Sequence, residues 1–255
     1  MAALSGNEIK KIRSLSSKKF RDEYGLFIVE GEKMVSEAVS SPFSVEKIFR
    51  KDEIGEEAMS RITQLSSPSP ALAIVRKPSG LYLDTAGQIS SALSSGKGLY
   101  LALDSIRDPG NLGTILRIAD WFGLDGVFAS RDTVDIFNPK VVQSTMGAIF
   151  RVRFHYADIP MLARSVINAG GHVYGTFLDG GSIYSSELDC GASAPSVIVI
   201  GNESEGISPQ VSALVSGRLF IPPYPADDPG SESLNAAVAT AVTVAEFRRR
   251  CLHRV

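Results

Sequence analysis

The stretch "LYLALDSIRDPGNLGTILRIADWFG", residues 99–123, joins an apolar strand pattern to a turn and a helix pattern. Residues 99–104 are an almost continuous apolar run, and residues 108–111 (DPGN) have the composition of a tight turn. Apolar side chains then recur at helical spacing, at Leu112, Ile115, Leu116, Ala119 and Phe122. The stretch therefore predicts a strand, a turn and an amphipathic helix in succession.

The same alternation continues towards the end of the chain. Strand patterns occupy residues 126–130, 172–179, 196–201 and 218–223. Helical patterns occupy residues 112–122, 139–149, 159–169 and 234–250. Strands that alternate with helices predict an α/β fold with a mostly parallel sheet covered on both faces, and such sheets bind ligands at the carboxyl ends of their strands.

The first part of the chain is less regular. A basic helical stretch is followed by the strand pattern "LFIVEG", a helix over Glu32–Ser40, and the strand patterns "VEKIFRKD" and "ALAIVRK". The segment "ISSALSSGKG" is rich in small residues and glycine, which favours a domain boundary. We predict a smaller N-terminal α/β domain over residues 1–96 and a larger domain over residues 97–255.

Composition narrows the class of protein. The apolar fraction is 44% and the formal net charge is −2, which is typical of a globular protein and neither implies nor excludes a nucleic-acid partner. No apolar run is long enough to span a bilayer, and the N-terminus lacks a secretory signal. Cys190 and Cys251 indicate neither a metal site nor a disulfide framework, and the histidines are scattered. These features predict a cytoplasmic protein without a bound metal.

The first candidate site follows the strand of residues 99–104. Asn111 occupies a position suited to a helix cap, and Gly113 and Arg117 lie one helical turn apart on the less apolar face. One interpretation is a capped surface helix with a solvated arginine. The other is that Arg117 reaches over the helix start towards an anion or a phosphate.

The second candidate site is "VIVIGNESEGIS", residues 197–208. A buried strand pattern ends at Gly201 and leads into Asn202, Glu203, Ser204 and Glu205. The glycine spacing lacks the lysine of a phosphate-binding P-loop. The stretch is either a polar turn or a carboxylate pair that orders a cation such as Arg117.

The third candidate site is "PGSESLNAAVATAV", residues 229–242, after a proline-rich loop. Ser231, Ser233 and Asn235 cluster before an apolar helix, although one cap requires only one such residue. A plain helix cap explains one of these residues and leaves the others without a role.

Taken in this order, the three stretches resemble the motifs of the SpoU (TrmH-type) RNA ribose methyltransferases of the SPOUT superfamily. "DPGNLGTILRIADWFG" resembles the first motif, "IVIGNESEGIS" the second, and "LFIPP" with "SLNAAVATAV" the third. "KKFRDEYGLFIVEGEKMVSEAV" is similar to their substrate-binding domain, which has a ribosomal-protein-like fold. The resemblance implies a C-terminal trefoil-knotted domain that forms a homodimer and binds S-adenosylmethionine. It also implies methylation of a ribose 2′-hydroxyl in structured RNA, with ribosomal RNA favoured over transfer RNA.

The resemblance also assigns roles to individual positions. The catalytic positions are Arg117, Asn111, Glu203, Ser233 and Asn235. The cofactor-binding positions are Thr176, Leu178, Gly201, Ile221 and Leu234. Arg117 would orient the substrate and contact its phosphate, or accept the hydroxyl proton, with Asn111 and Glu203 holding it in place. The loop between Ile221 and Ser233 is longer and more acidic than the family's usual connection.

RNA contacts are expected on the basic N-terminal stretch, at Arg13, Lys18, Lys19 and Arg21. The alternative for this stretch is a solvated helix face. Two alternatives remain for the whole chain. One is a catalytically silent RNA-binding relative, which the intact set of motif residues disfavours. The other is a Rossmann-type oxidoreductase, which the lack of a GxGxxG stretch after any strand disfavours.

Overall fold

The computed structural model describes residues 4–93, 96–225 and 232–252. The strands of the described chain are β1 (Leu26–Glu30), β2 (Val45–Arg50), β3 (Ala71–Arg76), β4 (Tyr82–Leu83), β5 (Gly98–Leu103), β6 (Gly126–Ala129), β7 (Phe154–Ala157), β8 (His172–Ser182), β9 (Pro195–Ile200) and β10 (Gly217–Phe220). Its α-helices are α1 (Gly6–Ser14), α2 (Lys18–Tyr24), α3 (Glu32–Ser40), α4 (Lys51–Ile54), α5 (Glu56–Ile62), α6 (Ala86–Ala92), α7 (Pro109–Trp121), α8 (Pro139–Thr145), α9 (Ile159–Asn168), α10 (Pro209–Ser212) and α11 (Ala236–Leu252).

The chain forms two compact units. The first comprises Met1–Ser79 and Asp135–Arg151, and the second comprises Gly80–Val134 and Val152–Val255. This division differs from the boundary that we placed at residues 96/97. Strand β4 belongs to the second unit because it pairs in parallel with β7. The segment Asp135–Arg151 belongs to the first unit, where Asp135 forms an ion pair with Arg21.

The first unit is built on a three-stranded antiparallel sheet with the strand order β1-β3-β2. All five residues of β1 are buried; the first four are apolar and the fifth is Glu30. Side chains from α1, α5 and the three strands form one core: Ile9, Ile12, Leu15, Leu26, Ile28, Phe49, Met59, Ile62, Leu72 and Ile74. Helix α1 begins with a capping box, in which Ser5 and Glu8 satisfy each other's backbone amides.

The second unit contains a seven-stranded sheet with the strand order β10-β8-β9-β5-β6-β7-β4. Every neighbouring pair is parallel, which confirms the predicted α/β fold. Helices α6 and α9 pack their apolar side chains onto the sheet, and α7 packs against α11. After β5 the chain first adds β6 and β7 on one side and later places β9 on the other. The carboxyl ends of β5 and β9 therefore flank a crevice of the kind in which open parallel sheets bind ligands.

Several details differ from the sequence-based expectations. Strands β4 and β7 were not predicted. The helix expected over residues 139–149 ends at Thr145, because Met146 and Gly147 adopt left-handed conformations with φ of 51° and 97°, and a 3₁₀ turn follows at Ala148–Phe150. The trefoil knot that the resemblance implies stays a prediction.

The expectation that the cysteines form no disulfide is wrong. Cys190 and Cys251 are joined by a disulfide, with their Cα atoms 6.1 Å apart. The two cysteines are 61 positions apart in sequence, so only the packing of α11 beside the segment after β8 brings them together. Among the described residues, no helix is both long and apolar enough to cross a membrane.

Candidate active site

Asn111 connects the three sequence motifs. It lies in the first turn of α7, where its backbone amide donates to Asp108 Oδ1 at 2.8 Å, and it is only 9% exposed. Its side-chain Nδ2 donates to Glu203 Oε1 at 2.8 Å, and its Oδ1 accepts from Asn235 Nδ2 at 2.9 Å. Because the Asn111 amide uses its donor on one motif and its acceptor on the other, its hydrogen bonds hold all three motifs together.

The turn after β9 presents Glu203. Asn202 and Gly206 form an antiparallel bridge across this turn, and Asn202 Oδ1 accepts from the amides of Ser204 and Glu205 at 2.9 and 3.0 Å. A Cβ atom on Gly201 would lie 2.3 Å from the carbonyl carbon of Gly206, so the turn requires glycine there. The Glu203 carboxylate is exposed and also accepts two long bonds of 3.4 Å from the backbone amides that precede α7.

The loop after β5 is fixed by polar contacts that sequence reasoning missed. Asn202 Nδ2 donates to the carbonyl oxygen of Ser105 at 2.7 Å, and Ser105 has a positive φ of 62°. Its hydroxyl donates to Asp132 at 2.5 Å, and its amide donates to Ser130 Oγ at 2.8 Å. Partial burial raises the pKa of Asp132, but hydrogen bonds from Ser105 and Ser130 and the nearby charge of Arg107 outweigh burial, so the pKa lies below its usual value. The sequence did contain one signal for a structural role of Asn202, namely its position directly after the glycine that ends a strand pattern. Asparagine side chains at such positions commonly bond the backbone of a following turn.

Asn235 explains the polar cluster before the last helix. Its Oδ1 caps α11 by accepting from the amides of Ala237 and Val238 at 2.9 and 3.3 Å, while its Nδ2 binds Asn111. One asparagine thus serves as a helix cap and as a contact between motifs. Ser233 and Leu234 are exposed next to it. Ser231 lies outside the described residues.

Arg117 is exposed on α7 and makes no hydrogen bond or ion pair with any residue in the described part of the chain. The expectation that Asn111 and Glu203 hold this arginine in place is therefore wrong, since their amide and carboxylate bind each other. Asn111 and Arg117 are six positions apart on the helix, which corresponds to a rise of about 9 Å and a rotation of about 240°. The guanidinium is consequently left available to a ligand.

The predicted cofactor positions lie at the carboxyl edge of the second unit's sheet. Strand β10 pairs with β8 up to Gly175 and again from Gly181, so the five residues between them leave the β8–β10 ladder. Thr176 begins this excursion and donates its hydroxyl to the carbonyl of Val199 at 3.2 Å. Leu178 lies within it and is 69% exposed. Gly201 follows β9, and Ile221 follows β10.

Arg218 anchors the excursion and was also missed by sequence reasoning. Its guanidinium lies 3.5 Å from the centroid of the Phe177 ring and donates to Asp179 Oδ1 at 2.5 Å. It also donates to Ser212 Oγ at 3.3 Å. Stacking and ion pairing by one arginine orient the two residues on either side of Leu178.

The basic stretch of the first unit is only partly as predicted. Arg13, Lys18 and Lys19 are exposed, and Lys18 forms an ion pair with Asp22 at 2.6 Å. Arg21 is only 2% exposed. Its guanidinium donates to Asp135 at 2.7 and 3.1 Å and to the carbonyls of residues 15 and 16. Its assignment as an RNA contact is therefore wrong, because a charge this deeply buried and paired with Asp135 holds the protein together instead.

Comparison with known proteins identifies this arrangement. Residues 98–245 match the model of the SpoU rRNA methylase family, and residues 6–74 match that of the MRM3-like substrate binding domain. The chain belongs to the SpoU rRNA methylase family. Like other SpoU proteins, it is an RNA methyltransferase that uses S-adenosylmethionine.

Several relatives of this SpoU methylase resemble it over nearly its whole length. It is 31% identical to the 23S rRNA (guanosine(2553)-2′-O)-methyltransferase RlmP of Bacillus subtilis, over 94% of this chain and 96% of RlmP. Among solved structures, a TrmH-family protein from Porphyromonas gingivalis matches with a TM-score of 0.84 and 35% identity, covering 98% of this chain and all of that one. An AdoMet-bound rRNA methyltransferase from Sinorhizobium meliloti matches with a TM-score of 0.85 and 28% identity, covering 98% of both chains.

The residues at the sheet edge fit the cofactor of the SpoU family. S-adenosylmethionine has a flat apolar ring with polar edges, a ribose and a charged amino-acid tail. The backbone of residues 176–180 lies outside the β8–β10 ladder and can therefore bond polar atoms. Leu178 and Leu234 are 69% and 48% exposed and can cover apolar surface. Among the described residues, no group of three or more His, Cys, Asp or Glu side chains could hold a metal ion.

Proposed function

We propose that this SpoU methylase transfers a methyl group to a ribose 2′-hydroxyl of ribosomal RNA. The observation that carries the proposal is the arrangement around α7, where Asn111 joins Glu203 and Asn235 while Arg117 stays unpaired in the described chain. The name of the related RlmP specifies 2′-O-methylation of 23S rRNA, and the N-terminal match to a substrate-binding domain supports a structured RNA as the substrate. A ribose 2′-hydroxyl is present in RNA and absent from DNA.

The proposed roles follow from the surroundings of each side chain. When bound, S-adenosylmethionine supplies an activated methyl group, so the protein must align the hydroxyl and assist loss of its proton. Arg117 contacts the RNA phosphate next to the target ribose and orients the hydroxyl, because a guanidinium stays protonated at neutral pH and is a poor base. Asn111, Glu203 and Asn235 keep the turn after β9 and the start of α11 in register, while Ser233 contacts the substrate. Thr176, Leu178, Gly201, Ile221 and Leu234 hold the cofactor, chiefly through backbone groups and apolar contacts.

A homodimer is part of the proposal. Trp121 at the end of α7 is 85% exposed, and Leu234 and Val238 at the start of α11 are 48% and 50% exposed. Apolar side chains that are exposed this close to a site favour burial against a second copy. Analytical ultracentrifugation is expected to give twice the chain mass for the wild type, and Trp121→Glu is expected to shift the protein towards the monomer.

The test of function is a map of 2′-O-methylated riboses in ribosomal and transfer RNA from cells with and without the gene. We expect one ribosomal site to disappear on deletion and to return with the wild type and with the control Arg164→Ala, which removes an exposed arginine on α9. Arg117→Ala is expected not to restore the site, although the purified variant binds S-adenosylmethionine with an affinity within about twofold of the wild type.

Other outcomes of this experiment contradict specific parts of the proposal. An unchanged map would favour a catalytically silent RNA-binding protein. Loss of a transfer RNA site would show that the substrate is transfer RNA rather than ribosomal RNA. Restoration of the site by Arg117→Ala would remove that residue from the mechanism, and equal loss of cofactor binding would place it in the cofactor site.

A further inference from the structure

The first unit contains a cavity of about 550 Å³ that has no part in the site described above. Its lining comes from the turn between α1 and α2, from β1, from the segment after α5, and from α8 with the residue before it, and it includes Ile28, Glu30, Gln64, Val142 and Lys140. Every lining residue belongs to the first unit. A volume of this size is within the range of small-molecule sites, which span about 300–1,000 Å³.

A buried carboxylate lies in the wall of this cavity. Glu30 is 5% exposed, and it accepts from Thr63 Oγ1 at 2.5 Å and from the backbone amide of Gln64 at 2.7 Å. Burial raises the pKa of Glu30, against the opposing effect of these two hydrogen bonds. No cation pairs with it in the described part of the chain. A carboxylate has about four acceptor positions, so Glu30 retains acceptor capacity beyond the two bonds that it makes.

A second lining residue, Gln64, has a side-chain amide without hydrogen-bond partners among the described residues. Both Gln64 Nε2 and Gln64 Oε1 are buried, and neither has a hydrogen-bond partner among the described residues. Buried polar groups in folded proteins are almost always paired, and an unpaired donor and acceptor on one side chain is rare. A partner outside the polypeptide that both donates and accepts would satisfy this amide.

The chemistry of the lining limits what that partner can be. An amino group can donate one hydrogen to Gln64 Oε1 and the other to Glu30, while an adjacent ring nitrogen accepts from Gln64 Nε2. Adenine and cytosine present such an edge, and glutamine is a frequent partner of adenine. Ile28 and Val142 are buried apolar lining residues, which suit the faces of a base. Lys140 is exposed at the start of α8 and can reach a phosphate.

We propose that this cavity binds one unpaired, amino-bearing base of the RNA substrate, with Gln64 and Glu30 on its polar edge and Lys140 on a neighbouring phosphate. The identity of the ligand as RNA rests on the proposed function. The cavity then selects the RNA by a nucleotide other than the one that is methylated.

The test is binding of the full chain to the labelled single-stranded hexanucleotides A₆, C₆ and U₆, measured by fluorescence anisotropy at one salt concentration. We expect the wild type to bind A₆ or C₆ more tightly than U₆. Gln64→Leu is expected to weaken binding of the preferred oligonucleotide about tenfold or more and to leave binding of U₆ unchanged. The midpoint of thermal unfolding should stay at or above that of the wild type, because the substitution replaces an unpaired buried amide with an apolar side chain. Gln210→Leu, on the exposed surface of α10, is the matched control and should bind like the wild type.

Lys140→Ala is expected to weaken binding of all three oligonucleotides by a similar factor and to reduce its salt dependence. The control Lys33→Ala, at an exposed position of α3, should do neither. Equal binding of the three oligonucleotides by the wild type would overturn the proposal. It would also be overturned if Gln64→Leu bound every oligonucleotide like the wild type, which would mean that ordered water satisfies the amide.

These measurements require no methyl transfer, so the two proposals can fail separately. Base discrimination that depends on Gln64, together with an unchanged methylation map, would refute the proposed function alone. If a ribosomal site is lost on deletion and restored by the wild type, but the three oligonucleotides bind equally, only the proposal that the cavity binds a base is refuted.

Discussion

Replacing Asn111 with aspartate tests whether its amide holds the three motifs together. The substitution keeps the shape of the side chain but replaces the Nδ2 donor, 2.8 Å from Glu203 Oε1, with an acceptor. Loss of a hydrogen bond to a charged group costs about 1.5–3 kcal/mol. Two carboxylates at this separation repel by about 1.5 kcal/mol in water, which is the appropriate limit because Glu203 is exposed. We therefore expect Asn111→Asp to lower the free energy of unfolding at pH 7 by about 3–4.5 kcal/mol.

Urea denaturation of three variants separates these contributions. Asn111→Ala removes the hydrogen bonds without adding a charge and should cost about 2 kcal/mol. Asn168→Asp adds a charge at the exposed end of α9 and should cost less than about 1 kcal/mol. Equal stability of these two variants at pH 7 would show that Asn111 and Glu203 are not in contact, and would refute the proposed link between the motifs.

Two further predictions concern buried charges. Arg21→Met should lower the free energy of unfolding by about 3–5 kcal/mol, because it leaves the buried Asp135 carboxylate without its partner. Glu246 is 6% exposed, and hydrogen bonds from Arg249 and Arg250 lower its pKa from 4.5 to about 2 against the effect of burial. This difference corresponds to about 3 kcal/mol, which solvent screening at the exposed Arg249 reduces to about 1–2 kcal/mol. Because the pKa of Glu246 is lower in the folded state, this stabilisation is present above pH 4.5 and is lost as the pH falls towards 2. We therefore expect Glu246→Gln to be less stable than the wild type at pH 7 and equal to it near pH 2.

A specific outcome would contradict each of these two predictions, and the first also has a matched control variant. For Arg21 it is the double variant Arg21→Met with Asp135→Leu, which should recover much of the loss because neither charge remains unpaired. A single variant as stable as the wild type would contradict the assignment of Arg21 as a structural residue. For Glu246, unfolding curves from pH 2 to 7 that run parallel for wild type and variant would contradict the ion pairs with the two arginines.

The meeting of the motifs could be predicted from sequence, whereas the contacts within it could not. Parallel strands bring the residues after β5 and β9 to one edge of the sheet, and the resemblance of the motifs to a known family placed Asn111, Glu203 and Asn235 together. Which of these side chains bond each other depends on rotation along α7. The sequence-based expectation therefore paired Glu203 with Arg117, while the structure pairs it with Asn111.

Other differences arise from contacts between distant parts of the chain. Arg21 stands in a basic stretch that suggests an RNA-binding surface, and its burial depends on Asp135, which is 114 residues further along. Strand β4 has only two residues and lacks a recognisable pattern, so its pairing with β7 was not foreseeable. The contacts of Ser105 with Asp132 and of Arg218 with Asp179 likewise join residues 27 and 39 positions apart, which periodicity does not reveal.

The double use of Asn235 couples the winding of a helix to the assembly of the site. The same amide caps the first turn of α11 and reaches Asn111, so fraying of that turn would release the contact between motifs at the same moment. Ligands that favour the assembled site must then slow hydrogen exchange at the backbone amides of Ala237 and Val238, by the linkage between binding and local opening. These two amides are thus a built-in reporter of occupancy, readable by exchange mass spectrometry without any label on the RNA or the cofactor.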